Sequence, residues 1–348
     1  MNINTISDTI LDETSSPEAL REALDAFVRL CGEITDIRPD PSFDAWAEDS
    51  LLEAGVAINP QAAAHCATDC QRSVMFVRGV YAAINVLKVR FPGTPLEILY
   101  AGCGPFGTLL LPLLGRFSPG ELKLYLLDFH QRSLDSVMLL LAEFGFAAHA
   151  AQTVKADACN YKHTGELHLV IAEAMQKSLE QEPQFAVTAN LAPQLYPTGV
   201  FIPQRIDVSM CLADLKHEKE LCGHSQKIDS NALEKSATRY LLGTVGTLLP
   251  EHAFEQMQLA QTNSDGRCFE LEPTIVVIPM MADIVGFDAA LFTRICVFGQ
   301  YWLKDYESQI TLPLKCHELS PLTGGERYRV SYQLGSYPKF HFERLNSE

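Results

Sequence analysis

Apolar positions along the chain fall into three stretches of different periodicity. Between residues 17 and 33, Leu20, Leu24, Phe27, Val28 and Cys31 recur at helical spacing, behind Ser16 as N-cap and Pro17 at the first helical position. That pattern predicts an amphipathic helix. A second helix is predicted from Phe43 to Glu53, and a long third one from about Gln61 to Val89, a span free of proline. Residues 1–95 thus read as a helical cap ahead of any strand.

From Leu96 the pattern becomes short apolar runs separated by helical stretches. The runs are 96–100, 122–128, 150–157, 167–173 and 199–204, with helices predicted at about 107–116, 131–145 and 180–194. Strands that are apolar throughout and joined by helices indicate a parallel sheet covered on both faces, so residues 96–204 read as an open α/β domain. Residues 212–263 are polar and helix-like, and strand-like runs follow at 269–279, 292–302, 309–314, 327–335 and 338–345. Joined by Gly, Pro and Ser turns without helices, they predict a β-rich, barrel-like domain over 205–348 with an arm-like insertion.

Length and charge narrow the reading. A chain of 348 residues exceeds the size at which one core stops growing, roughly 250–300 residues, so two cores are expected. Lys and Arg total 27 against 43 Asp and Glu, a net charge of −16, which repels phosphate backbones and anionic lipid and favours a cationic or neutral partner over nucleic acid. No apolar run approaches the roughly 20 residues of a membrane span, and the polar N-terminus lacks signal-peptide character. A cytoplasmic protein without a membrane partner is expected. The ten cysteines contain no CxxC pair and read as reduced thiols packed as small apolar residues. His65, Cys66 and Cys70 would share neighbouring helical turns, but no fourth ligand lies nearby, so no metal is expected.

Candidate chemistry begins where the first strand of the α/β block ends. Ala101, Gly102, Cys103, Gly104, Phe106 and Gly107 form a glycine-rich turn against which a nucleotide-like cofactor can lie; a purely structural turn is the alternative. Asp128 closes the next strand, 24 residues after Gly104, where a carboxylate can accept both ribose hydroxyls or instead cap the following helix. Nicotinamide and S-adenosylmethionine (SAM) enzymes share this device. Asp157, after the third run, favours SAM, because an acid there faces an adenine amino group and only five parallel runs are visible. Glu173 and Glu182 at the strand edge would grip a cationic acceptor by charge-assisted bonds, the alternative for Glu180 and Glu182 being the first turn of a helix.

From Asp69 to Pro203, about 135 residues, the chain resembles the protein arginine methyltransferases. Asp69-Cys70-Gln71-Arg72 looks like the family's DxxR element, Ala101-Gly102-Cys103-Gly104-Pro105 like its glycine loop, and Lys123 to Asp128 like the strand ending in the ribose-binding acid, with Asp for the usual Glu. Ala172-Glu173-Ala174-Met175 followed by Glu182 is similar to the double-E loop, with the same nine-residue spacing. Residues 190–195 and 199–203 look like the helix and strand that follow. The resemblance implies a Rossmann-like class I methyltransferase core binding SAM, with Arg72 at the cofactor carboxylate, Gly102, Gly104 and Gly107 at the methionine part, Asp128 and Phe129 at the ribose, Asp157 and Ala158 at the adenine, and Glu173 and Glu182 at the acceptor. It also implies that residues 212–263 are a dimerisation arm, giving a homodimer, against the plainer reading of an insertion. Tyr100 stands in place of an acid, Ala174 in place of a bulky residue, and no Thr-His-Trp triplet appears. The acceptor, a small molecule or a protein, is therefore left open. The competing readings are an NAD-dependent oxidoreductase and a SAM-binding scaffold without catalysis.

Overall fold

The structure is a computed structural model that describes residues 1–38, 49–224, 239–262, 269–271, 273–280 and 284–346. Helices α1 (Ile3–Leu11) and α2 (Pro17–Thr35) open the chain, each started by a side-chain cap: Asn2 accepts from the Thr5 N–H and Ser16 from that of Ala19. The helix expected over 43–53 lies outside the described residues as far as residue 48. Its remainder is not helical, because β1 (Ser50–Leu52) and β2 (Gly55–Ala57) form a hairpin instead, with Gly55 at φ +151°. The N-terminal region is therefore not purely helical.

The single long helix expected from Gln61 to Val89 is two helices, α3 (Pro60–Cys66) and α4 (Cys70–Arg90). The break follows from side chains that compete with the helical backbone: the Thr68 hydroxyl donates to the His65 carbonyl, and Asp69 caps α4 by accepting from the Arg72 N–H. Helix α4 is buried along most of its length, between the parallel sheet and the C-terminal strands. Gly79 allows this close approach, since a Cβ there would lie 2.5 Å from Val297 Cγ1.

Five strands form the parallel sheet in the order β5 (Ala150–Lys155), β4 (Leu122–Asp128), β3 (Leu96–Ala101), β6 (Leu167–Ala172), β7 (Leu195–Ile202). Strand order runs outward both ways from β3, so the crevice at the carboxyl ends of β3 and β6 is the switch point at which doubly wound sheets bind ligands. Helix α5 (Gln131–Glu143) occupies its expected place, whereas the segment 107–116 is turn and a short 3-10 helix, Leu111–Arg116, that holds Pro112 and Gly115. The segment 180–194 holds a shorter helix, α6 (Gln184–Leu191).

Strand β8 (Arg205–Ala213), not anticipated from the pattern, takes the chain directly into antiparallel pairing. Around it lie α7 (Leu215–His224), β9 (Arg239–Leu248), α8 (Pro250–Leu259), β10 (Gln261–Thr262), β11 (Phe269–Glu270), β12 (Thr274–Val277), β13 (Asp288–Phe298), β14 (Tyr301–Leu303), β15 (Leu314–Lys315), β16 (Arg327–Leu334) and β17 (Lys339–Leu345). The arm-like insertion thus contains β9 as well as helices, and residues 225–238 lie outside the described residues. Among the described residues the strands make two five-stranded antiparallel sheets, β14-β13-β8-β9 with β15 and β10-β11-β16-β12 with β17, and no ladder closes them into a barrel. No described helix is long and apolar enough to cross a membrane.

A buried ionic network holds the start of α7 and of β9 against the β13–β14 hairpin. Arg239 donates to both oxygens of Glu218 at 3.0 and 2.9 Å and also to Asp305, Arg294 donates to Asp305 at 2.9 and 3.0 Å, and the Arg239 guanidinium lies 3.9 Å from the Phe292 ring centre. Removing one partner strands buried charge. Asp305→Ala is expected to lower unfolding free energy by roughly 3–5 kcal/mol, read by urea denaturation.

Candidate active site

The loops after β3, β4, β5 and β6 meet around a cleft with about 990 Å³ of empty space, open to solvent. Its floor is the glycine turn. The N–H groups of Gly102 and Cys103 donate to the Leu127 carbonyl, folding the turn onto the end of β4. Gly102 and Gly104 have φ of +70° and +61°, which explains glycine at both; a Cβ at Gly102 would meet nothing within 4 Å. The backbone thus presents an open cradle. Gly107, by contrast, does not line the cleft: it combines φ +53° with a Cβ position 3.0 Å from Val137 Cγ2, a packing role.

Asp128 fastens this floor. Its Oδ2 accepts the Gly104 N–H at 2.9 Å and its Oδ1 the His130 N–H at 2.8 Å. It does not cap α5, whose N-cap is His130 with no side-chain bond. A carboxylate has about four lone-pair sites, so these two bonds do not exhaust it, and His130 Nδ1 lies 3.7 Å from Oδ1. Ala101, Cys103, Phe106, Phe129 and Ala158 line the same cleft, as does Asp157, whose carboxylate also accepts from the Cys159 N–H at 2.8 Å and the Asn160 amide at 3.2 Å.

At the other end stand Arg72, Glu173 and Glu182. Arg72 reaches the cleft from the first turn of α4, whose cap Asp69 also accepts from Ser308 Oγ and the Gln309 N–H, both at 2.7 Å. Its guanidinium is ion-paired with Glu173 Oε2, while Glu173 Oε1 is buried without a hydrogen-bond partner. Buried Gln184 holds the turn that carries Glu173, accepting from the Ala174 N–H at 2.8 Å and donating to the Ala172 carbonyl at 3.1 Å. Glu182 precedes α6 and lies outside its first turn. Burial, then the nearby Glu173 charge, push its carboxyl up to about 8 against the pull of Arg72. Burial likewise raises the Glu173 carboxyl, with Arg72 opposing.

Several cleft residues were not anticipated. Leu52, Val56, Ala57 and Ile58 of the hairpin cover the floor, and Cys66, Tyr100 and His130 stand in its walls. Tyr100 is buried with its hydroxyl pushed far up by burial, so it is neutral where an acid would be charged. His65, Cys66 and Cys70 do not converge: among the described residues no group of three or more His, Cys, Asp or Glu side chains is placed to hold a metal.

The fold is similar to that of the Trypanosoma brucei PRMT1 enzyme-prozyme heterotetrameric complex with AdoHcy, at 11% identity and a TM-score of 0.49, over 81% of this chain and 92% of that one. It is also similar to Arabidopsis thaliana protein arginine methyltransferase 10, at 12% identity and a TM-score of 0.39, over 74% of this chain and 84% of that one. No family model and no curated protein matches the chain.

The raised Glu182 carboxyl has a consequence for stability. With an ordinary value of 4.5 and a folded value of about 8, the folded state keeps a proton that the unfolded chain has lost, so stability falls as pH rises through that window. Glu182→Gln is expected to melt higher than the parent chain by a margin that is small at pH 5 and widens towards pH 8 in calorimetry.

Proposed function

We propose that this chain is a SAM-dependent methyltransferase whose acceptor is a nitrogen nucleophile held by Glu173 and Glu182. The observation that carries the reading is the pairing, at one sheet edge, of a Cβ-free cradle with Asp128, whose carboxylate lines the same cleft with acceptor capacity beyond its two hydrogen bonds. These fit a nucleoside with vicinal hydroxyls. When bound, SAM supplies an electrophilic methyl on a positively charged sulfur. Asp128 would accept the ribose hydroxyls, Phe129, Asp157 and Ala158 would border the adenine, and Gly102 and Gly104 would lie against the methionine part.

The acceptor end follows from charge. Arg72 neutralises one oxygen of Glu173 and can also face the cofactor carboxylate, leaving Glu173 Oε1 to accept an N–H of the acceptor. Glu182, protonated in the free protein because its carboxyl titrates at about 8, would ionise when a cationic acceptor supplies the missing positive charge, and its carboxylate would then take a second N–H and receive the proton the nitrogen loses. Transfer is then an in-line displacement in which the residues orient the nitrogen lone pair, and orientation supplies much of the rate. The acidic balance of the chain agrees with a basic acceptor. A homodimer through the region 212–263 and a cytoplasmic location belong to the same reading, as does a division at 1–95, 96–204 and 205–348.

Two outcomes test it. Demethylated cofactor (AdoHcy) at 100 times its Kd should stabilise the fold by about 2.7 kcal/mol, and Asp128→Ala should abolish the gain; no stabilisation of the parent chain refutes the reading. With tritiated-methyl SAM and a panel of amines and arginine peptides, Glu182→Gln should cut label transfer about 100-fold or more while AdoHcy binds as before.

A further inference from the structure

We propose that the hairpin β1–β2 is a roof over the cofactor cleft that positions the Glu182 carboxyl for the acceptor, with Gly55 and Ser50 as its positioning residues. The inference rests on the methyltransferase reading above. Leu52, Val56, Ala57 and Ile58 form the apolar underside of the roof. One edge is fastened to the cofactor side: Ser50 Oγ lies 3.1 Å from His130 Nε2, and the His130 N–H is bound to Asp128. The other edge is fastened to the acceptor side, where the Val56 N–H donates to the Gln181 carbonyl at 2.7 Å.

Gly55 makes the second fastening tight. A Cβ at this residue would stand 2.8 Å from Gln181 O and 2.8 Å from Pro183 N, the two residues that flank Glu182. No side chain fits there without moving the backbone that carries the carboxyl. That backbone is itself in a costly conformation, with Ser178, Leu179 and Gln181 at φ of +57°, +58° and +66°. It is held from the far side by Ser178 N–H to Thr293 Oγ1 at 2.9 Å, Tyr332 O–H to the Leu179 carbonyl at 2.7 Å and Gln181 N–H to the Pro338 carbonyl at 2.8 Å. Glu182 is therefore clamped between the C-terminal strands and the roof. The groups facing it are Glu173 after β6, Arg72 on α4, Cys66 on α3 and Asp49 ahead of β1, with a hydrogen bond from Gln176. Water kept out by the roof is what leaves this carboxyl protonated near neutrality.

The probes are AdoHcy, which has nothing at the methyl position, and sinefungin, a SAM analogue in which a carbon replaces the sulfur and carries an ammonium at the methyl position. Their affinities are measured by calorimetry at pH 6.5 and 8.5 for the parent chain, Gly55→Ala and Ser50→Ala. The parent chain is expected to prefer sinefungin, by a factor that grows about tenfold over this range as Glu182 ionises beneath the ammonium. Gly55→Ala should keep AdoHcy affinity within about threefold while its sinefungin preference becomes independent of pH, because a solvated Glu182 is ionised throughout. Ser50→Ala should flatten the pH dependence in the same direction by a smaller amount, and it decides the matter alone if Gly55→Ala does not fold. An unchanged pH-dependent preference in the variants overturns the positioning role, as does an equal loss of both ligands with that dependence intact. Failure of the parent chain to bind AdoHcy is a separate result, which removes the methyltransferase reading and this inference with it.

Discussion

Two hydrogen bonds to one carboxylate organise the cleft. Asp128, at the last position of β4, accepts the N–H of Gly104 with one oxygen and that of His130 with the other, so the turn after β3 and the turn after β4 are held as one surface. The strands beneath supply the rigidity. Leu96, Ile98 and Leu99 of β3 and Leu122, Leu124 and Leu127 of β4 are all buried, and a surface built on such strands moves little. The same carboxylate lines the cleft, so the group that builds the floor is also the one proposed to hold the ribose.

The end of the cleft at Arg72, Glu173 and Glu182 is governed by an imbalance of buried charge. Two glutamates and one arginine cannot all be ionised and satisfied away from water, and the ion pair goes to Glu173, which leaves Glu182 to carry the proton. An incoming basic nitrogen would supply the missing positive charge, and Glu182 would then give up its proton at lower pH than in the free protein. Asp69 links this end to the C-terminal region through Ser308 and Gln309, so the helix that carries Arg72 is braced by residues more than two hundred positions away in sequence.

Much of the α/β block was legible because its signals are local. Strand β4 coincides with its apolar run, Ser16 and Pro17 mark the start of α2, and the glycine turn and Asp128 stand where strand ends place them. What was not legible depends on contacts distant in sequence. Asp69 reads as the first residue of a DxxR element within one long helix, and that its carboxylate separates α3 from α4 by capping α4 and bridges to Ser308 shows only in three dimensions. The hairpin at 50–57 has too few residues for a period to register, and its place over the cleft depends on partners at His130 and Gln181. Gly107 belongs to the glycine pattern by spacing alone, and its role against Val137 shows only in three dimensions. Strand β8 carries a strand alternation, Ile206, Val208 and Met210 against Asp207 and Ser209, but the partner strands that complete its sheet begin 26 or more residues further on.

The account stands on the ligand that Asp128 is proposed to hold, and a crystal structure of the chain grown with AdoHcy addresses it most directly. The expected result is density in the cleft with both ribose hydroxyls within hydrogen-bonding distance of the Asp128 carboxylate and the sulfur facing Glu173 and Glu182. AdoHcy bound elsewhere, or a ribose turned away from Asp128, would contradict it.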